Sequence, residues 1–148
     1  MTQGFEAFVA DVEQRLRIAL GAVFGPEQGR DATAAALAYA WEHWTRVSEM
    51  ENPAGYLYRV GRSSMRQRKA PTWVPVSPSG MPDVEPRLPD ALRRLSEKQR
   101  LAVVLVHGYD FTRREVADLT GLSVSTIDTH LGRGLQRLRD EFGVQLHA

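Results

Sequence analysis

The sequence contains no cysteine and no long apolar run, and each absence excludes a class of protein or site. A chain without cysteine can form neither a disulfide nor a thiolate metal site. No uninterrupted apolar stretch approaches the roughly 20 residues that a membrane span needs, and the first segment, MTQGFEAFVADVEQ, lacks the basic and apolar regions of a signal peptide. We therefore expect a cytoplasmic protein that does not insert into a membrane.

An excess of charge of one sign is also missing, because 19 Lys and Arg residues face 18 Asp and Glu residues, for a formal net charge of +1. Any polyanionic partner must therefore bind local cationic patches. The sequence has no glycine-rich phosphate loop and no GxSxG motif, and its four histidines show no metal-ligand spacing with carboxylates. We expect a protein that is not an enzyme and that holds no cofactor and no metal.

Proline is concentrated in one segment, since six of the eight prolines lie between Pro71 and Pro89. Proline removes backbone donors and disfavours helix in the residue before it. Both flanks show helical periodicity, and 43% of the chain is hydrophobic, enough to build a core. The pattern predicts an all-α chain of two small helical domains, 1–70 and 88–148, joined by a proline-rich linker, 71–87.

The N-terminal domain begins with an apolar stripe from Phe5 to Phe24, which predicts a helix that Gly25-Pro26 interrupts. Asp31 precedes ATAAALAYAW and is the predicted N-cap of the next helix. Trp41 continues the apolar stripe of that helix and is predicted to be a core residue. Pro53 fits the first position of a further helix.

The C-terminal domain has the pattern of a helix-turn-helix. Apolar residues from Pro89 to Leu105 predict one helix, which Gly108 ends. Thr112 and Ser123 are the predicted N-caps of two more helices, with Gly121 ending the first of them. The last helix has one apolar face, formed by Ile127, Leu131, Leu135, Leu138 and Phe142. In such a unit the second helix lies in the major groove of DNA.

The candidate DNA contacts of this unit lie off the apolar face. They are Arg113, Arg114, Ser123, Ser125, Thr126, Asp128, Thr129, His130, Arg133 and Arg137. The short polar side chains can approach base edges, and the arginines can meet phosphates. Asp128 is the exception, because its carboxylate repels phosphate and yet can accept a hydrogen bond from the amino group of cytosine. It predicts either an altered base preference or weaker binding.

The N-terminal domain carries a second basic feature, RVGRSSMRQRK at 59–69, which holds five cations and no acid. The first three arginines recur at intervals of three and four and share one helix face. Aromatic residues lie just upstream, and cations beside aromatic rings suit single-stranded DNA, whose bases stack on such rings. The candidate contacts are Trp44, Tyr56, Tyr58, Arg59, Arg62 and Arg66. A merely solvated face has the same pattern, and we expect at least one of the aromatic residues to be buried.

Two long segments resemble a known family. WEHWTRVSEMENPAGYLYRVGRS, 41–63, resembles the second conserved region of extracytoplasmic-function (ECF) sigma factors of the sigma-70 superfamily. LPDALRRLSEKQRLAVVLVHGYDFTRREVADLTGLSVSTIDTHLGRGLQRLR, 88–139, resembles their fourth region. The resemblance implies a protein that directs transcription initiation at a restricted promoter set. Its implied partners are core RNA polymerase and promoter DNA, with an anti-sigma factor as a further candidate.

The resemblance also implies roles for individual segments. Helix 32–45 would face the clamp of the polymerase, with contacts at Asp31, Ala34, Ala35 and Ala38. The segment 47–62, which includes Asn52, would meet the downstream promoter element as its strands separate. Helix 123–139 would lie in the major groove of the upstream element, and the linker would pass near the RNA exit path.

The sequence departs from the usual family pattern at three places. Ala34 and Ala35 stand where the family usually has Gln-Glu, Ser63 stands in place of Asn, and residues 128–130 replace a basic Lys-x-Arg. The alanines would fit a divergent sigma-like regulator that acts through protein contacts without directing initiation. STIDTHL, 125–131, also resembles a LuxR-type helix-turn-helix transcription factor, although that reading leaves 41–63 unexplained.

Overall fold

The computed structural model describes residues 2–67 and 87–143, and these residues form helices and short connections without any strand. The N-terminal helices are α1 (Thr2–Phe24), α2 (Pro26–Glu42), α3 (Trp44–Ser48) and α4 (Pro53–Gln67). The C-terminal helices are α5 (Leu88–Arg94), α6 (Glu97–Val103) with a π-helical turn (Val104–Gly108), α7 (Arg113–Thr120) and α8 (Val124–Phe142). The prediction of an all-α fold is confirmed. The predicted linker, apart from Arg87, lies outside the described residues.

The predicted break between the first two helices is confirmed, but the predicted start of α2 is wrong. Gly25 has a φ of 92°, which glycine adopts without strain, and Pro26 occupies the first position of α2. Proline is suited to that position because its missing N–H would have no partner there. Asp31 therefore lies within α2 and does not cap it.

The N-terminal core forms where α1 and α4 pack against the buried face of α2. Leu16, Leu20 and Leu57 are fully buried there, beside the small side chains of Ala32 and Ala36. Burial of a leucine side chain contributes about 1.5–3 kcal/mol. Alanines on α2 let the neighbouring helices approach closely, so the core of this half depends on them.

The prediction of one helix from Pro89 to Leu105 is wrong, because the chain turns at Leu95 and Ser96 and begins α6. Ser96 Oγ accepts a hydrogen bond from the backbone N–H of Gln99, and the Gln99 side chain accepts one from the Ser96 N–H. This reciprocal capping box stabilises a new helix start. The sequence contains the matching motif S-x-x-Q at 96–99, but the continuous apolar periodicity around it favoured a single helix.

The N-terminal and C-terminal helices pack against each other. Arg100 on α6 is buried, and its guanidinium donates hydrogen bonds to the carbonyls of Ala22 (2.7 Å) and Val23 (2.8 Å) in the last turn of α1. Helix C-termini carry partial negative charge and unpaired carbonyls, which a cation satisfies. Burial lowers the pKa of Arg100, while the nearby Glu97 acts to raise it. Arg100 thus joins the two halves of the described chain.

Candidate nucleic-acid interface

The helix-turn-helix of the C-terminal half is formed by α7 and α8, and its local signals are those predicted. Thr112 caps α7 in a capping box with Glu115, and Ser123 Oγ accepts from the Thr126 N–H at the start of α8. Gly121 between them has a φ of 79°, a conformation that favours glycine. All three predicted boundaries are confirmed, and the capped turn fixes the direction of α8.

One face of α8 packs into the core and the opposite face is exposed; we call α8 the recognition helix, the name for the second helix of such a unit. Ile127 and Leu131 are buried, and Leu135 and Leu138 pack partly against the core, which confirms the predicted apolar face. The polar candidates lie around the exposed side. Ser123, Ser125, Asp128, Thr129, Arg133 and Arg137 are exposed, and Thr126 and His130 are half-buried.

The hydrogen bonds within this face determine which groups remain free for a base. Thr129 Oγ1 donates to the carbonyl of Ser125 at 3.1 Å, so its lone pairs face outward as acceptors. The pKa of His130 is lowered, first by burial and then by the positive charges of Lys98 and Arg133. A neutral imidazole offers one donor and one acceptor, the combination that a base edge can match.

Asp128 forms an ion pair that crosses the helix-turn-helix. Its Oδ1 atom lies 2.5 Å from Nε of Arg113, the first residue of α7, and both side chains are about half exposed. The carboxylate of Asp128 therefore contacts Arg113, an arginine that the sequence pattern predicted to meet phosphate. Arg113 and Asp128 act together at the edge of the recognition helix, while Arg114 beside them is exposed.

The cationic face of α4 forms as predicted, but an acid from the other half of the chain lies on it. Arg62 Nε is 2.6 Å from Glu97 Oε1, and Arg66 Nη2 is 2.7 Å from Glu97 Oε2. We call this contact the Glu97 bridge. Arg59, on the same face, is exposed and approaches the turn at Gly121.

Two aromatic residues that were predicted to stack on DNA bases, Trp44 and Tyr58, are partly or fully buried. Tyr58 is only 4% exposed, and burial raises the pKa of its hydroxyl. Tyr58 is therefore a core residue and cannot stack on a base. The expectation that at least one of the aromatic residues is buried is confirmed. Trp44 is half-buried, packed between the rings of Phe5 (5.4 Å) and Phe8 (5.2 Å).

Tyr56 belongs to a cluster that the sequence reading did not identify; we call Tyr39, His43, Arg46 and Tyr56 the tyrosine cluster. The two tyrosine hydroxyls are 3.1 Å apart, and Arg46 donates to both of them. The Arg46 guanidinium carbon lies 5.8 Å from each tyrosine ring centroid, and His43 stacks on Tyr39 at 4.1 Å. Residues 39, 43 and 46 lie close together because their spacing matches a helix turn. Tyr56 lies on α4 and reaches them only because α4 packs against α2.

An open cavity of about 410 Å³ adjoins the tyrosine cluster. Its lining consists of Tyr39, Tyr56, Arg59, Val60, Ser63 and Ser64. Two tyrosine rings, one cation and two serine hydroxyls around an open cavity can hold an unstacked base. Ser63, one of the departures from the family pattern, contributes one of those hydroxyls.

The candidate polymerase contacts share one face of α2. Asp31, Ala34 and Ala38 are exposed there, and Ala35 is half-buried at its edge. Trp41 lies one turn after Ala38 and is 52% exposed, so the prediction that it is a core residue is wrong. Its ring packs against that of Phe5 in an edge-to-face pair with the ring centroids 5.0 Å apart, which fixes the indole while leaving it accessible. We call Ala34, Ala38 and Trp41 the α2 stripe.

Asn52 is exposed but already carries two hydrogen bonds. Its side-chain amide donates to the carbonyl of Asp118 at 2.7 Å, and its Oδ1 atom accepts from the Gly55 N–H at 3.1 Å. The second bond caps the first turn of α4, so Asn52 has a structural role at the start of that helix. Within 2–67 and 87–143, no three His, Asp or Glu side chains are grouped so that they could hold a metal ion.

A helix-turn-helix combined with a helical half that exposes cations and aromatic rings is the architecture of a DNA-binding protein. Residues 86–138 match the family described as Sigma-70, region 4. The chain is 33% identical to the RNA polymerase sigma-E factor of Streptomyces coelicolor, over 93% of this chain and 85% of that protein. It is 30% identical to the RNA polymerase sigma-E factor of Streptomyces antibioticus, over 85% of this chain and 77% of that protein. The chain belongs to the ECF group of RNA polymerase sigma factors.

The fold is shared with a solved sigma factor. The structure of RpoE from Bartonella quintana, determined in complex with the anti-sigma factor NepR, superposes with a TM-score of 0.71. The alignment covers 97% of this chain and 99% of that chain at 21% sequence identity. No helix in the described part of the chain is both long enough and apolar enough to cross a membrane.

Proposed function

We propose that this chain binds core RNA polymerase through α2, and directs it to promoters through the recognition helix and the tyrosine cluster. The observation that carries the proposal is the exposed polar and cationic face of α8, held by a capped turn in a chain that belongs to the sigma factors. Such a protein acts by binding, without chemistry of its own. Because its partner works on chromosomal DNA, its place of action is the bacterial cytoplasm.

Binding to polymerase rests on the α2 stripe in this proposal. Ala34 and Ala38 offer little side chain, so polar contacts cannot carry the affinity there. Trp41 offers a large indole fixed by Phe5, and exposed tryptophans with such support are common centres of binding energy in interfaces. Asp31, at the N-terminal end of the same face, adds one charge to the rim.

Upstream-element recognition rests on the recognition helix. Ser125, Thr129 and His130 approach base edges in the major groove, where each base pair presents a distinct pattern of donors and acceptors. Arg133 and Arg137 follow on the exposed side and meet phosphates, which position the helix without reading sequence. Arg114 adds a phosphate contact from the start of α7, whereas Arg113 is paired with Asp128 and contributes less.

Downstream-element recognition rests on the cavity beside the tyrosine cluster. A base that leaves the duplex stacks on Tyr56 and Tyr39, and stacking on an aromatic side chain contributes about 1–3 kcal/mol per base. Arg46 and Arg59 lie close enough to contact the backbone of the same strand. The proposal thus assigns strand separation to the N-terminal half and duplex recognition to the C-terminal half.

An anti-sigma factor is the further partner that we propose. The Bartonella quintana protein of the same fold was determined in complex with one. Membership of the sigma factors extends this class of partner to the present chain as a proposal.

Co-purification with core RNA polymerase, followed by sequencing of the bound DNA, tests the proposed function. The expected result is a stable complex that enriches DNA with two separated sequence elements. The α2 variant Trp41→Ala should reduce recovery of the complex, whereas Tyr109→Ala, which truncates an exposed aromatic of the C-terminal half, should leave it unchanged. Failure of the parent chain to join the polymerase would contradict the proposal.

A further inference from the structure

An open cavity of about 360 Å³ lies where α1 and α2 meet α5 and the π-helical turn that follows α6. We call it the α1–α5 cavity. Its volume falls in the range of about 300–1,000 Å³ that is typical of small-molecule sites. None of the residues that line it is a candidate contact for polymerase or DNA. The cavity therefore has no task in the proposed function.

Much of the cavity wall is apolar. Ile18 on α1, Leu92 on α5 and Val104 in the π-helical turn line it and are half-buried. Tyr109 follows the turn and also lines the cavity, with 55% of the residue exposed. Single π-helical turns are rare and occur frequently at functional sites. The wall thus offers an aliphatic surface and one aromatic ring, and burial of that surface favours binding of an apolar ligand.

Gly21 on α1 keeps part of this space open. Its φ is not in the left-handed region, so the backbone does not require glycine there. Among the described residues beyond its own helix, a Cβ atom at Gly21 would meet only Pro26, whose Cα lies at 3.9 Å, an ordinary contact distance. Glycine inside a helix costs stability relative to alanine. Neither backbone nor packing explains this glycine, whereas an open cavity does, because a larger side chain would occupy it.

The rim of the cavity is cationic. Arg17 on α1 and Arg30 on α2 line it and are exposed, and none of the described lining residues is acidic. Within 2–67 and 87–143, the Arg30 guanidinium has no ion-pair partner. Arg17 pairs with Glu13 of its own helix at 3.5 Å, and both side chains are about half exposed, so that contact is weak. Both guanidinium groups can therefore donate to an anion at the rim.

We propose that the α1–α5 cavity binds an amphipathic carboxylate, a small molecule with an apolar body and one carboxylate group, such as a medium-chain fatty acid. The body lies against Ile18, Leu92 and Val104. The carboxylate accepts hydrogen bonds from Arg30 and Arg17. An uncharged apolar ligand would leave these cations without an anion, and a small hydrophilic anion would leave the apolar wall uncovered.

Decanoate is the probe, and two related molecules separate the contributions of its parts. The first, 1-decanol, has the same chain without the charge, and the second, acetate, has the charge without the chain. Titration of the full chain, followed by the NMR signals of the backbone amides, gives both the affinity and the position of each probe. Decanoate should shift the amides of Gly21, Leu92 and Val104 and bind about two- to fivefold more tightly than decanol, in keeping with a partly exposed ion pair. Acetate at the same concentration should cause no shifts there.

The variant Arg30→Gln tests the role of the rim, because it removes one cation and keeps a polar side chain. Arg114→Gln is the matched control: Arg114 is also an exposed arginine, and it lies on α7 outside the cavity. Both variants change net charge equally. Decanoate affinity should fall about two- to fivefold in Arg30→Gln and stay as in the parent in Arg114→Gln.

The variant Gly21→Leu tests the cavity itself. Its side chain takes the space of the apolar body, so decanoate affinity should fall about tenfold or more, since close-packed sites respond to even one added methylene. Gly21→Ala adds a single carbon and should cause a smaller loss, which keeps the test decisive if the leucine variant fails to fold.

Three results would overturn the proposal. They are equal affinity of Arg30→Gln and Arg114→Gln for decanoate, equal affinity of the parent chain for decanol and decanoate, and amide shifts confined to residues outside the cavity. Unchanged affinity in both Gly21 variants would overturn it as well. The proposed function is tested separately by run-off transcription of the parent chain, so failure of this site leaves that function standing.

Discussion

At the scale of the residue, the expected effect of Asp128 on DNA binding depends on its neighbour Arg113. In the sequence it is an anion on a helix that should meet DNA, and it predicts either weak binding or a preference for cytosine. In the structure its carboxylate lies 2.5 Å from Arg113. The pair neutralises both side chains, so we expect Asp128 to limit phosphate contact by Arg113 more than it selects a base.

The change Asp128→Lys tests this interpretation. It removes the anion, adds a cation and frees Arg113, so binding should tighten on all duplexes and the salt slope should steepen by up to about 2, since each added phosphate contact contributes roughly 0.9. Binding to a selected promoter and to a scrambled duplex over a salt series measures both effects. Asp140→Lys, at the far end of α8, makes the same charge change as a control. A loss of about 1–3 kcal/mol confined to the selected promoter would show instead that Asp128 reads cytosine.

Trp41 carries the second prediction at this scale. Its indole is 52% exposed and supported by Phe5, and the neighbouring alanines contribute little area. Trp41→Ala should weaken binding to core polymerase by about 2–4 kcal/mol, the usual range for a central interface residue. Titration calorimetry or anisotropy with purified core enzyme measures the loss. A change below about 0.5 kcal/mol, no more than a typical neutral surface substitution gives, would place the interface elsewhere on α2 or on another helix.

At the scale of the element, helix boundaries in this chain follow local capping chemistry. Thr112, Gly121 and Ser123 act within three or four residues of their own position, so the sequence alone was sufficient to predict them. Ser96 acts equally locally, but apolar residues on both sides of it gave a continuous periodicity that masked the capping box. The error at Asp31 has a similar cause, because Pro26 is a better start for α2 than a later aspartate.

Loss of the Ser96 cap should destabilise the C-terminal half. Ser96→Ala leaves the Gln99 N–H without its side-chain acceptor, and N-cap substitutions of this kind cost about 1 kcal/mol. Urea denaturation followed by circular dichroism measures the free energy of unfolding. Ser63→Ala, an exposed serine inside α4, is the control and should change stability by less than about 0.5 kcal/mol. Equal losses in the two variants would show that the capping box contributes nothing specific.

At the scale of the whole molecule, the features that sequence reasoning missed are those that depend on packing between distant segments. Arg62 and Glu97 are 35 positions apart, and no local pattern places them together. The tyrosine cluster joins α2 and α3 to Tyr56 on α4 in the same way. The prediction for Trp41 was wrong because its periodicity matches the core stripe, whereas its indole packs against Phe5 at the surface and stays 52% exposed. The all-α architecture, by contrast, followed from periodicity and helix caps.

The two halves of the molecule have separate tasks in the proposed function, and the Glu97 bridge is one of the contacts that join them. We propose that the α2 stripe binds polymerase, that the recognition helix binds duplex DNA, and that the cavity beside the tyrosine cluster receives a base from the separated strand. The first two tasks rely on residues exposed on one face of a helix, whereas the third relies on residues that the packing of α2 against α4 brings together. Of the positions where the resemblance predicts other residues, Ala34 and Asp128 are exposed and Ala35 is half-buried.

Run-off transcription with core RNA polymerase tests the central claim most directly. The template carries a promoter selected from the DNA that co-purifies with the complex, and the chain is the only initiation factor added. We predict discrete transcripts from the parent chain, and a strong reduction with the double variant Arg133→Ala, Arg137→Ala, which removes two phosphate contacts from the recognition helix. Complex formation without any transcript from the parent chain would contradict the account, and would identify a regulator that acts through protein contacts alone.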